Sequence, residues 1–240
     1  MKPTASKLIR WAGLSAMVAG IIFAIIQPIH PPEIISSVTT GRWVIIHSLT
    51  LAMCLFGLLG LAGLYARQVK EVGWLGLAGY LLFSLFYALV MVFSFAEAFI
   101  MPQLATEAPK FVEGFITIFN GGHSEANLGA LATFGPIGAG VYILGPVLFG
   151  IATFRAGILP RWAGGLIAFG AVSPLLATLL LPQEFVRYTA VLMGLGLVWL
   201  GYALWSERRA QATDPDDGVL MGVDQPAAVV ATNGRVPSKV

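Results

Sequence analysis

The three histidines, His30, His47 and His123, fall on one side of the chain's apolar blocks together with Glu33, Glu97 and Glu125, and their types could do chemistry beyond packing. Imidazole nitrogens that converge with a carboxylate can hold Zn2+ or another divalent ion, and three protein ligands plus a water are the pattern of a catalytic zinc site. His47, Glu97 and His123 are the set the chain can offer to such a metal. Their spacing is not that of H-E-x-x-H or a comparable motif, so the ligands would have to converge from separate segments. The competing reading makes the same side chains hydrogen-bonding groups at a membrane surface.

Other chemistries are excluded more firmly. A haem sandwich needs two axial ligands, and His47 alone falls on an apolar segment. Ser15, Ser48, Ser84, Ser94 and Ser173 have no base at a recognisable spacing, so no hydroxyl nucleophile is marked. Cys54 is the single cysteine; it allows no disulfide or thiolate cluster within one chain and is expected to be a small buried hydrophobe. The glycines match neither nucleotide fingerprint. In Asp214-Pro215-Asp216-Asp217-Gly218 the glycine comes one position early for a calcium loop and no Glu closes twelve residues. Nothing specifies a cofactor or points to a nucleic-acid partner.

The elements that must carry these residues are dictated by composition. With 57% hydrophobic and 11% charged residues, water cannot be the main solvent. The apolar residues gather into six blocks, near 8–26, 43–65, 73–95, 131–154, 162–181 and 186–205, each about the 20 residues that cross a hydrocarbon core. A β-barrel needs alternating segments of about ten residues, and these runs are continuously apolar. The expectation is an all-α integral membrane bundle of six transmembrane helices over residues 1–209, with the lipid bilayer as its solvent.

Basic residues at the helix ends set the orientation. Lys2, Lys7, Arg10, Arg67, Lys70, Arg155, Arg161, Arg208 and Arg209 fall on one side, and Arg42, Lys110 and Arg187 on the other. Both termini are therefore expected in the cytoplasm and the bundle in the inner membrane. The first block has no clear cleavage site after it and is read as a retained helix. No block has an ionisable residue at its middle, which argues against a proton-coupled pump. Glu97 falls roughly 30 Å beyond the start of the third block, hence near the outer headgroups and at the depth of His47.

The blocks pair into three hairpins. Trp11-Ala12-Gly13, Trp74-Leu75-Gly76 and Trp162-Ala163-Gly164 open the odd helices, and the even ones close on Gly63 with Tyr65 and Arg67, Gly150 with Phe154 and Arg155, and Gly201 with Trp205 and Arg208. Interfacial aromatics and basic flanks account for the same pattern without a repeat. Ala12, Ala16, Gly20 and Ala24 form a stripe of small residues that lets another helix approach closely; Gly164, Gly165, Ala168 and Ala171 in the fifth helix and Gly194, Gly196 and Gly201 in the sixth read alike. Pro146 and Pro174 inside helices are expected to kink them.

The longest connection spans 101–130. Thr106 can cap a short helix with Pro109 in its first turn, and Phe111, Phe115, Ile118 and Phe119 then share a face before Asn120-Gly121-Gly122 ends it. That is a short outer interfacial helix, or a lid over an outward-facing cavity. Residues 210–240 are small, polar and acidic and read as a disordered cytoplasmic tail.

The Trp-x-Gly starts, the Arg-ended even helices and the short loops resemble bacterial multi-pass membrane proteins of unknown function, over residues 7–209. The resemblance implies fold and location but transfers no site. The leading expectation is a non-enzymatic bundle that binds a lipid, a small apolar ligand or a partner, with the small-residue stripe serving a second copy or a membrane partner. A small-solute transporter lined by Tyr80, Tyr87, Tyr142 and Thr178, and a metal-dependent enzyme built on His47, Glu97 and His123, are the alternatives.

Overall fold

The computed structural model describes residues 4–118 and 124–212. Threonines open the first two long helices. Thr4 accepts from the Lys7 N–H at the start of α1 (Ala5–Ile29), and after the one-turn α2 (Ile35–Val38) Thr40 accepts from the Trp43 N–H at the start of α3 (Gly41–Gln68). Each hydroxyl satisfies a donor that the first helical turn leaves orphaned.

The next helix, α4 (Gly73–Phe95), does not stop where its apolar run ends. It passes through a π-helical turn at Ala96–Ile100 and continues as α5 (Met101–Glu107), with α6 (Pro109–Thr117) following directly. A 3-10 turn at Gly129–Thr133 leads into α7 (Phe134–Ala156), which ends on the left-handed Gly157 at φ 65°. The chain then forms α8 (Arg161–Ala177), the short α9 (Gln183–Val186), a 3-10 turn at Arg187–Ala190, and α10 (Val191–Ala212). No strand occurs among the described residues.

The protein is thus an all-α helical bundle, and Lys7–Ile29, Gly41–Gln68, Gly73–Glu107, Gly129–Ala156 and Arg187–Ser206 are long and apolar enough to cross a membrane. The fifth expected span is shorter than read, because α8 ends one turn beyond Pro174. Large apolar side chains such as Leu59, Leu81, Leu144 and Leu180 point outward, as lipid-facing positions do where no water has to be met.

The six long helices close into a ring in chain order, each packing on the next and α10 returning to α1. Three antiparallel hairpins, α1 with α3, α4 with α7 and α8 with α10, account for half of the seams. The seams between hairpins share a feature: an aromatic of the earlier helix lies on the start of the next hairpin. Tyr65 stacks on Tyr80 at 4.6 Å, Phe154 meets Trp162 edge-on at 5.4 Å, and the Trp205 ring lies under Arg10 at 5.3 Å.

Small residues make these approaches close. A methyl on Gly60 would lie 2.6 Å from the Ala16 Cα, one on Gly63 would strike Ala12, and one on Gly194 would lie 2.7 Å from the Gly20 carbonyl and 3.3 Å from the Ala24 methyl. The stripe of Ala12, Ala16, Gly20 and Ala24 is therefore occupied by α3 and α10 of the same chain, and the use expected for it in joining a second copy gets no support. Gly164 likewise faces Gly150, and Gly196 faces Ile167 and Ala163.

At the end of the ring remote from the termini a second apolar cluster forms. Val112, Phe115 and Ile116 of α6 pack with Val38 of α2, Met101 of α5, Trp43 of α3 and Phe93 of α4. Phe93 stacks on Phe115 at 4.5 Å. The connecting helix is thus a cap seated on the bundle. Its N-cap is Ala108 rather than Thr106, which lies inside α5; residues 119–123, expected to complete its face and its end, lie outside the described residues, as do 213–240 of the expected tail.

Candidate ligand-binding cavity

A cavity of about 470 Å3 opens inside the ring between α1, α3, α4 and α7. Its walls are apolar and largely aromatic: Phe23 and Ile26 from α1, Met53 from α3, Phe86, Leu89, Val90 and Phe93 from α4, and Tyr142 from α7. Toward the termini the ring is filled, with Cys54, Leu61, Leu64, Phe83, Tyr87 and Phe149 at most 1% exposed. Aromatic contacts hold that floor, Phe83 on Tyr87 at 5.1 Å and Phe86 on Tyr142 at 5.2 Å. Cys54 is the buried hydrophobe it was expected to be.

The charged and imidazole groups lie at the end remote from the termini. His30, Glu33, His47, Glu97 and Arg187 line the cavity, with Gln27, Thr50 and Ser94. His47 comes from the second turn of α3, and Glu97 from the π turn after α4, a geometry that recurs at functional sites. The two are brought together: His47 Nε2 lies 3.3 Å from Glu97 Oε2. The Trp43 indole N–H donates to the Glu97 carbonyl at 2.8 Å and so ties the π turn to α3.

Backbone partners decide which ring nitrogen holds the proton. His47 Nδ1 lies 2.8 Å from the Trp43 carbonyl, and His30 Nδ1 lies 2.8 Å from that of Pro31. A carbonyl only accepts, so each Nδ1 donates and each Nε2 faces away toward its other neighbours. At His47 that neighbour is a carboxylate oxygen, and two acceptors cannot hold each other at 3.3 Å without a proton between them. The pair is imidazolium with carboxylate or imidazole with carboxylic acid. It carries no net charge in either form.

His30 stands beside this pair, its ring edge-on to His47 at 5.2 Å. Burial, the largest influence on it, lowers its pKa from the ordinary value, opposed by the Pro31 hydrogen bond and Glu33. Its uncharged form is favoured. Glu33 in turn lies 3.8 Å from Arg187, which precedes α10. Arg42 turns away to the Ile29 carbonyl, to which its Nε and a terminal nitrogen donate at 3.1 and 2.8 Å.

Of the three residues read as metal ligands, His47 and Glu97 are therefore neighbours, while His123 lies outside the described residues. Among the described residues no group of three His, Cys, Asp or Glu side chains is placed to hold a metal ion. Glu125 is drawn off to Lys110 at 3.1 Å on the exposed surface. Of the tyrosines and threonine expected to line a path, Tyr142 alone lines the cavity; Tyr87 is in the floor, Tyr80 is stacked on Tyr65, and Thr178 is exposed at the end of α8, donating to Leu175.

His30, Glu33 and Arg187 are charged or imidazole groups of the cavity that lie outside the set read as metal ligands. Arg187 carried a signal, being a lone basic residue next to an apolar block on the side poor in basic residues. The chain matches no family model, no curated protein and no solved structure.

Proposed function

We propose that the protein is a non-enzymatic, six-span protein of the bacterial inner membrane that binds a lipid-like amphiphile in the cavity inside its ring, with both termini in the cytoplasm. One observation carries the reading: an apolar, aromatic-walled cavity of about 470 Å3 whose charged and imidazole side chains are gathered at one end. Ligand pockets have this character, an apolar body with a few placed polar groups, and this volume. An amphiphile would lay its chain on Phe23, Phe86 and Tyr142 and its head against His30, His47 and Arg187.

The sixth span rests on α8, whose 17 residues rise roughly 26 Å, within the lower range of membrane-crossing helices, and on its place in the ring between α7 and α10. An even number of spans returns both ends to one side, and the excess of basic residues assigns that side to the cytoplasm. The filled floor at Phe83, Tyr87 and Phe149, each at most 1% exposed, weighs against the transporter alternative.

Gentle extraction from the native membrane followed by native mass spectrometry tests the binding reading. Wild-type protein should retain a stoichiometric lipid-sized mass, and Ala139→Phe combined with Thr50→Phe, which project into the cavity, should release it. Equal retention by both would overturn the reading. A fluorescent reporter fused after Ala212 should fold on the cytoplasmic side; an active periplasmic reporter there would reverse the orientation.

A further inference from the structure

We propose that the head of the bound amphiphile is an uncharged oxygen head, such as a glycerol or other hydroxyl, and that the site discriminates against phosphate-bearing lipids. This rests on the cavity being a ligand site, and it follows from the charges that line its polar end. His47 and Glu97 share a proton at 3.3 Å and sum to zero. Glu33 and Arg187 face each other at 3.8 Å and sum to zero. His30, half-buried beside His47 with its rings 5.2 Å apart, adds hydrogen-bonding capacity, and burial favours its uncharged form.

The end of the cavity is thus balanced, with two carboxyl groups beside its one guanidinium. An anionic head brought there would face Glu33 and Glu97 at a partly buried site, where the Arg187 charge that would receive it already lies 3.8 Å from Glu33. Uncompensated charge in such surroundings is costly, whereas a hydroxyl exchanges water for hydrogen bonds. The head that fits can both donate and accept: the His30 Nε2 lone pair accepts from a hydroxyl, and the Arg187 guanidinium donates to an oxygen.

Size limits the remainder. A cavity of about 470 Å3 falls in the range that holds a small ligand, here one with a single short chain. Phe23, Phe86, Phe93 and Tyr142 give that chain aromatic walls.

Two probes that differ only in charge decide the matter: 1-decanoylglycerol and its 3-phosphate, each measured as radiolabelled ligand against the full chain in phosphatidylcholine nanodiscs. The expected result is saturable binding of the glycerol ester, with the phosphate at least about tenfold weaker, and a shift of that ratio toward the phosphate in Glu33→Gln, which leaves Arg187 unmatched. Binding of the phosphate as tightly as the neutral ester would overturn the inference while leaving the cavity a ligand site. Failure of both probes to compete with the natively retained mass would overturn the inference, and absence of any retained mass would remove the cavity reading with it. An unchanged ratio in Glu33→Gln would show that charge balance is not what selects the head.

Discussion

His47 Nε2 and Glu97 Oε2 lie 3.3 Å apart, and the same two segments are joined a turn away by the Trp43 indole donating to the Glu97 carbonyl at 2.8 Å. Side chain and main chain of one glutamate are thus both held by α3. Glu97→Ala removes the side-chain half and leaves His47, 3% exposed, without its partner, at an expected cost of about 1–3 kcal/mol. Glu97→Gln retains an N–H that can donate to Nε2 and should recover most of the loss. Thermal unfolding in mild detergent reads both variants; equal destabilisation by Gln and Ala would mean that the shared proton contributes nothing to stability.

At the opposite end, Gln68 Nε2 donates to Thr153 Oγ1 at 2.9 Å, with both residues fully buried and Gln68 Oε1 unpaired. Thr153→Val should cost about 1–3 kcal/mol, because it strands the amide donor, whereas Gln68→Leu with Thr153→Val should fall close to wild type, since no polar group is left stranded. A double-mutant cycle gives the coupling, and strictly additive losses would dismiss it.

The ring seams predict opposite signs for two similar substitutions. A methyl on Gly60 meets the Ala16 backbone at 2.6 Å, while one on Gly140 meets nothing within 4 Å. Gly60→Ala should destabilise by about 1–3 kcal/mol through overpacking, and Gly140→Ala should stabilise by up to about 1 kcal/mol through helix propensity. Melting temperatures that move in the same direction for both would contradict the packing described.

The cap rests on Phe115, 4% exposed and stacked on Phe93. Phe115→Ala should cost the cap about 3–5 kcal/mol, with the loss confined to α6. Hydrogen exchange measured by mass spectrometry should speed up through Pro109–Thr117 and leave the amides of α10 unchanged; uniform acceleration would show that cap and ring unfold as one.

How much of this was legible in the residues differs by element. The third block, read as 73–95, matches α4 residue for residue, because continuous apolarity bounded by Gly73 and by the first acidic residue leaves little choice. Beyond Phe95 the reading stops at a headgroup position for Glu97. The chain instead continues through the π turn into α5, since Trp43 supplies a donor to the Glu97 carbonyl from another helix. Spacing has no access to a partner so far along the chain. The Thr106 hydroxyl suggests the N-cap of the connecting helix, yet with Val112 and Phe115 packed against Phe93 and Trp43 the N-cap is Ala108.

The site divides in the same way. That His47 and Glu97 lie at one depth follows from counting residues along two antiparallel helices at about 1.5 Å each. That they touch, that His30 joins them, and that Arg187 closes the same end from the start of the sixth long segment depend on the ring returning α10 to α1.

Taken alone, the amino-acid sequence determined the all-α membrane class and the approximate helix bounds, because hydrocarbon admits only backbone that bonds within itself and apolar runs record where it must do so. The closed order of the helices, the intramolecular use of the small-residue stripe and the cavity with its balanced charges were decided by tertiary structure. Those depend on which helix faces meet, and a helix that is apolar all round does not encode its own partner.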